Sequence, residues 1–383
     1  MKTNNRVSAI IGNVQEYDKM GDLVENRPVA TMPFGGKYRL IDFQLSAIAN
    51  SDIHSVYSTF LHTKIQSVYD HVGSGREWGL DTILSRSFIG VYEGNHATQE
   101  CSENYFDKII TYLKRSHSAQ TVFMTSNILA NIDLDQLILT HRRHDKKMTV
   151  AYKKMLPEKV SPLNTILELD EHSDVIGHRN FDAALDKEER VNMNMALFVV
   201  DTQWLIDELE KDYHTNAPIS TLHFLMEHVE REKATAYEFT GHVANIYDVK
   251  SYYDANMEML DPAVFNTLFF ASNKIYTKVK NEAPTYYAPT SQVRNSQFAS
   301  GSIIEGTVES SIISRNNVIK KSAIVKDSLI LPNVEVSEGA VIEYAIVDKN
   351  TVIKNDVIIR GTKENPLVVK KGSVVTENII NEG

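Results

Sequence analysis

Residues 312–331 read IISRNNVIKKSAIVKDSLIL, and their spacing decides the fold of the C-terminal part of the chain. Aliphatic residues recur every six positions at Ile312, Val318, Ile324 and Ile330, each followed by a second aliphatic at Ile313, Ile319, Val325 and Leu331. Around Pro332 the register shifts by four, and a second series runs Val334, Ala340, Ile346, Val352 and Ile358. Asn, Ser, Asp, Lys and Gly fill the intervals. A six-residue period without helical periodicity predicts a parallel β-helix from about Ile303 to Ile359, each prism face taking one hexapeptide. The recurring aliphatic is expected to point inward onto the coil below. A β-sandwich would instead space its strands by roughly 8–12 residues, with period-two alternation.

Upstream, Asn273–Arg294 contains Pro284, Tyr286, Tyr287 and Pro289, which breaks regular structure and predicts an interdomain connector. Earlier still, strand-like and helix-like segments alternate. Val7–Ile11, Ser55–Phe60, Thr121–Thr125, Met148–Tyr152 and Met195–Val200 read as strands. Leu40–Asn50, Ser102–Lys114, Asp133–His141 and Thr202–Lys211 read as helices. This alternation predicts a Rossmann-like α/β domain, a mostly parallel sheet with helices on both faces. The expected division is an α/β domain over residues 1–272, the connector over 273–294 and the β-helix over 295–383. Ligand should sit beyond the carboxyl ends of the strands, where Gly12, Ser126 and Asn127 fall.

The bulk composition narrows the function. At 42% hydrophobic and 23% charged residues the chain is of the soluble globular class. A net charge of −10 argues against a general nucleic-acid or membrane-surface binder. The single cysteine, Cys101, permits neither an intrachain disulfide nor a multi-cysteine zinc site, and no apolar stretch approaches a membrane span. A cytoplasmic protein is expected.

Two stretches conflict in the nucleotide-binding region. Strand Val7–Ile11 leads to Gly12, read as a turn residue, but the next residues are Asn13 to Met20 (NVQEYDKM) rather than glycines. A phosphate loop needs glycine so that backbone N–H groups can approach the anion, and Glu16 and Asp18 would repel a triphosphate. Yet Pro33–Phe43 (PFGGKYRLIDF) looks like intact sugar-nucleotide machinery, with Lys37 and Arg39 as candidate anion ligands or as parts of a shape-giving turn.

The PFGGKYRLIDF block, an α/β domain and a hexapeptide β-helix together resemble ADP-glucose pyrophosphorylase (glucose-1-phosphate adenylyltransferase). The resemblance implies a left-handed β-helix and an ancestry in joining ATP and glucose 1-phosphate, with Mg²⁺ held by carboxylates. It also implies coordinated losses. Of the family's glycine-rich loop only Gly12 survives, with Asn13 beside it, and the phosphate lysine falls on Val29. The first metal carboxylate becomes Asn127. The sugar-nucleotide signature becomes Val91–His96, with Gly94 and Asn95 as binding candidates. The sugar-phosphate lysine has no counterpart in Gly177–Asp182. Asp248 matches the second metal carboxylate, although a helix N-cap explains an Asp there better.

No catalytic residue is therefore expected in this chain, no cofactor is required, and Mg²⁺ has a place only if residual nucleotide binding persists. The pattern resembles the GlgD-type branch of the family, which implies a regulatory subunit that activates a catalytic GlgC-type partner in a hetero-oligomer, a tetramer, with a homo-oligomer possible alone. The alternative is an active sugar-phosphate nucleotidyltransferase with altered site chemistry. A β-helix acyltransferase is a weaker third reading. Two basic runs, His141–Lys147 and Arg315, Lys320, Lys321 and Lys326, are read chiefly as solvated charge.

Overall fold

The computed structural model describes residues 6–93, 105–187, 189–212, 220–270 and 273–381. Gly94, Asn95, His96 and Cys101 lie outside the described residues.

The N-terminal domain begins with β1 (Val7–Asn13), α1 (Ile41–Asn50), β2 (Ser55–Leu61), α2 (Gln66–Val72) and β3 (Arg86–Tyr92). It continues with α3 (Tyr105–Ser116), β4 (Gln120–Thr125), α4 (Leu134–His144), β5 (Met148–Met155), β6 (Thr165–Leu169), β7 (Val175–Asn180) and β8 (Val191–Asp201). Helices α5 (Thr202–Asp212) and α6 (Thr221–Val229), strand β9 (Thr235–Glu238), and helices α7 (Val249–Met257) and α8 (Pro262–Phe269) complete it. The sheet order is β7-β6-β8-β4-β1-β2-β3, with β5 also paired to β8 and β9 paired in turn to β5. The four strands β4, β1, β2 and β3 run parallel, and β8 pairs antiparallel to β4.

Strand alternation decides which helix covers which face. In β1, Ala9 and Ile11 join a core with Ile41, Leu45 and Ile48 of α1, whereas Ile10 points to the other side, into a core with Tyr105, Ile109 and Leu113 of α3. The central strand is thus buried on both faces, as its unbroken aliphatic run requires. Gly12 is not a turn residue: it continues β1, paired with Thr59 and Thr125. A Cβ there would stand 2.7 Å from the Phe123 ring, so close packing against that ring demands glycine.

The C-terminal domain is a triangular parallel prism, the left-handed hexapeptide β-helix. Its first face stacks six strands from Tyr286–Tyr287 to Val374–Val375, its second six from Gln292–Arg294 to Ile379–Ile380, and its third five from Gln297–Phe298 to Leu367–Val369. Residues 286–294, within the stretch read as connector, already belong to the first coil.

The inward residues stand one position later than the first three of the first aliphatic series, whereas the fourth, Ile330, is itself interior: Ile313, Ile319 and Val325 fill the prism, followed by Ile330, Val336 and Ile342, then Val347, Ile353 and Ile359. In the second series Val334 and Ala340 are also interior, whereas Ile346 faces the N-terminal domain. The apparent register shift is built into every middle coil. Each takes steps of six, six and five, and the short corner carries a left-handed residue at Ser310, Asp327 and Tyr344. A second corner stacks Asn316, Asn333 and Asn350, all at positive φ, and Asn333 Nδ2 donates to Asn350 Oδ1 at 3.0 Å. Asparagine tolerates this conformation better than other side chains.

The third face is the junction with the N-terminal domain. Ile312, Leu329, Leu331 and Ile346 share one buried core with Phe34, Phe43, Tyr252, Met259 and Phe269.

Candidate functional site

At the carboxyl ends of the parallel strands lies an open cavity of about 370 Å³. The segment Val14–Tyr17 forms one wall, Asn127 and Ile128 the floor beyond β4, and Ser161, Asn164, His178, Asn180, Asn194, His223, Glu227 and Tyr247 complete much of the rim. The loop after Gly12 therefore lines the cavity and does not fill it. Tyr17 and Met20 turn away into the core shared with Leu23 and Phe34, and Asp18–Val24 continues as a 3-10 segment.

The described lining of this cavity is neutral or acidic apart from two histidines. Among the described residues that line it none is Lys or Arg, and two are Glu16 and Glu227. Lys64 Nζ pairs with Glu16 at 3.0 Å, and His223 Nε2 stands 3.1 Å from Glu227. Strand alternation in β7 sends His178 and Asn180 toward the cavity, while Arg179, the one permanent cation of that stretch, forms a double hydrogen bond with Asp186. Transfer between polyphosphates requires cations or aligned donors where charge develops, and the described lining contains no lysine or arginine.

The other positions singled out in the sequence are accounted for individually. Asn13 N–H donates to Thr59 Oγ1 at 3.3 Å, and its Nδ2 is buried with no hydrogen-bond partner. Asn127 is buried on the cavity floor, and its carbonyl accepts the N–H of Ile246. Val29 sits in a short 3-10 turn, inside the apolar core with Leu23 and Met32. Asp248 caps α7: its Oδ1 accepts the Ser251 N–H at 2.7 Å, and Ser251 Oγ accepts the Asp248 N–H in return. Asp248 does not line the cavity. A neutral amide and a carboxylate engaged as a cap do not fit Mg²⁺, which wants ionised oxygen ligands free to converge. No cluster of three His, Cys, Asp or Glu suited to a metal occurs among the described residues.

The PFGGKYRLIDF block lies elsewhere. Pro33–Phe34 and Tyr38–Arg39 form a hairpin whose tip, Gly35–Gly36, adopts positive φ at both residues and meets Ile313 of the β-helix. Tyr38 stacks on Phe269 with ring centroids 4.7 Å apart, and Phe34 packs edge-on against Phe43. Buried Asp42 accepts the Arg39 N–H and pairs with His71. Lys37 is exposed, its Nζ 4.9 Å from the Tyr38 ring centroid. The block is thus the hinge plate of the two domains, remote from the strand-end cavity.

Behind that plate, the junction gathers Arg39, already a candidate anion ligand, with Arg27 and Lys349, which sequence reading missed. Arg27 Nη2 meets Asp348 Oδ2 at 2.6 Å, and both side chains are at most 4% exposed. Arg39 donates to the Thr31 carbonyl, and burial lowers its affinity for a proton, opposed by Asp42. Lys349 is pushed down to about 8, first by burial and then by the fields of Arg27, Arg39 and Lys371. Such a cluster favours an anion. The predicted basic strip on the β-helix is dispersed instead: Arg315 pairs with Glu282, Lys326 faces Glu309, and Lys320 belongs to another face. The His141–Lys147 run is committed as well. His141 is buried against Thr149, Lys146 pairs with Asp174, and Lys147 with Asp201.

Among the described residues no helix is long and apolar enough to cross a membrane. Residues 19–176 match the nucleotidyl transferase family model, and residues 284–380 match the GlmU-like C-terminal hexapeptide model. The chain is 29% identical to glycogen biosynthesis protein GlgD of Bacillus subtilis (strain 168) over 296 residues, 75% of this chain and 73% of that protein. It is 30% identical to the GlgD protein of Geobacillus stearothermophilus over 289 residues, 74% of this chain and 72% of that one. With both domains, their order and three quarters of its length so matched, the chain belongs to the GlgD family of glycogen biosynthesis proteins.

Proposed function

We propose that this chain is a regulatory, catalytically impaired subunit of ADP-glucose pyrophosphorylase, assembling in the cytoplasm with a catalytic GlgC-type homologue and raising its activity. The observation that carries the reading is the strand-end cavity, whose described lining presents two glutamates, an amide at Asn127 and no lysine or arginine. Such a surface repels ATP, because each unneutralised phosphate charge in a poorly solvated site is costly. The fold is retained for what it assembles with. The junction cations support a regulatory role, since an anion seated between Arg39 and Lys349 would bridge the two domains.

Pyrophosphate release by the purified chain, by a catalytic homologue, and by their mixture tests this. The chain alone is expected to be silent, and the mixture to exceed the homologue alone. Turnover by this chain alone at the homologue's rate would establish the rival reading, an active nucleotidyltransferase with altered chemistry. A mixture with the kinetics of the homologue alone would remove the regulatory one.

A further inference from the structure

The three faces of the β-helix differ in their outward side chains, and the third face shows what an apolar outward row means. There Ile312, Leu329 and Ile346 stack in register and are fully covered by the N-terminal domain. The first face carries a largely apolar row that no element of the N-terminal domain covers among the described residues. Tyr286, Ile303, Val318, Glu335, Val352 and Val374 stack one rung apart. Their neighbours Ile304, Ile319, Val336, Ile353 and Val375 fill the prism interior, so alternation turns this row outward. Tyr286 is 57% exposed, Ile303 42% and Val374 60%. Isolated exposed aliphatics need no explanation, but a row of apolar side chains on five of six rungs, interrupted only at Glu335, marks an interaction surface.

Charge separates this face from the second. On the second face Arg294, Glu309, Lys326, Glu343 and Arg360 alternate in sign, and they pair with each other along the prism. On the first face the next outward row reads Ala288, Glu305, Lys320, Ser337, Lys354 and Thr376. Neither Glu305, Lys320 and Lys354 nor Glu335 forms an ion pair among the described residues. Both the apolar row and the charges await partners.

We propose that the first face binds the first face of a second copy of this chain, with the prism axes antiparallel. The two-fold axis lies along the strands, midway between the rungs of Val318 and Glu335. That operation sets the six rungs against each other in reverse order. Tyr286 meets the partner's Val374, Ile303 meets the partner's Val352, and Glu305 meets the partner's Lys354, each contact occurring twice. Glu335 lies across from the partner's Val318 and beside the partner's Lys320. A parallel arrangement either stacks Glu335 on Glu335 or sets the aliphatic row against the charged one, so self-complementarity selects the antiparallel dimer. This contact needs no catalytic partner and stands or falls apart from the proposed function.

Sedimentation equilibrium of the full chain from nanomolar to high micromolar concentration tests it. A monomer–dimer equilibrium is expected. Glu305→Lys and Lys354→Glu should each weaken it by about tenfold, since each creates two like-charge contacts. The combined swap, Glu305→Lys with Lys354→Glu, should restore it to within about threefold of the native value. Ile303→Asp should abolish it, whereas Ile324→Asp on the second face should not. Carbodiimide should couple Glu305 to the partner's Lys354. All these side chains point out of the prism, and circular dichroism confirms folding of each variant. The swap, which conserves every charge, remains readable even if one single variant misfolds. A monomer throughout, association only with a catalytic homologue, a dimer indifferent to the single reversals, or a swap without recovery would each overturn the proposal.

Discussion

Val29 occupies the position where the family resemblance places a phosphate lysine, and it is buried in the apolar core beside Leu23 and Met32. Asn127 lies on the floor of the strand-end cavity, 7% exposed. Restoring the lost charges therefore meets two different environments. Val29→Lys puts an ammonium into apolar packing, and we expect it to lower stability by about 3 kcal/mol, read by denaturant unfolding. Asn127→Asp adds an unpaired carboxylate to a cavity already holding Glu16 and Glu227. The double variant is expected to show no pyrophosphate release, because the wall Val14–Tyr17 still offers side chains where phosphate needs backbone donors. Activity at a family member's rate in that variant would show that loop to be irrelevant. That neither position carries a charge was legible in the sequence. That position 29 is absorbed into a core was not, because its burial depends on Tyr252 and Leu329, which come from remote parts of the chain.

Helix α7 begins at a capping box, and this element decides how Asp248 is to be understood. Asp248→Ala removes an acceptor for the Ser251 N–H and should cost about 1 kcal/mol. Asp248→Asn keeps the cap and removes the charge, and its stability is expected to stay within about 0.5 kcal/mol of native. A relict metal site would behave differently: millimolar Mg²⁺ would raise the melting temperature of the native chain but not of the Asn variant. The element pattern was broadly readable in advance. Ser55–Leu61, Thr202–Asp212 and α4 with its Asp133 cap follow from periodicity and cap chemistry. The β-helix register was readable only to within one residue. Two adjacent aliphatics at each rung, such as Ile312 and Ile313, satisfy a six-residue period equally, and only the corner geometry decides which one turns inward.

At the scale of the molecule, the two domains are joined through a core interrupted by the Arg27–Asp348 pair. Arg27→Met leaves Asp348 charged, buried and unpartnered, and should destabilise the chain by about 3–5 kcal/mol. Arg27→Met combined with Asp348→Leu should recover most of that, since packing then replaces charge. Lys349 adds a pH dependence. Its affinity for a proton falls from the usual 10.5 to about 8 on folding, so the unfolded chain holds more protons between those values. Its unfavourable contribution is complete below about pH 8, diminishes as pH rises, and is gone above 10.5. The melting temperature of Lys349→Met should therefore exceed that of the native chain most below pH 8, with the gap closing toward pH 10.5. A gap independent of pH would show that Lys349 keeps an ordinary proton affinity.

The sequence by itself determined the two architectures, the family and the absence of phosphate-loop glycines, because periodicity, local motifs and residue chemistry are properties of short stretches. Only the tertiary structure decided that Asn13 to Met20 line the cavity and do not fill it, that Gly12 serves a contact with Phe123, and that the PFGGKYRLIDF block joins the domains. It alone brought Arg27 to Asp348 across 321 positions of the chain. The physical reason is common to all of these: which side chain is buried, and against what charge or ring, is settled by the packing of segments distant in sequence, and no local pattern encodes it.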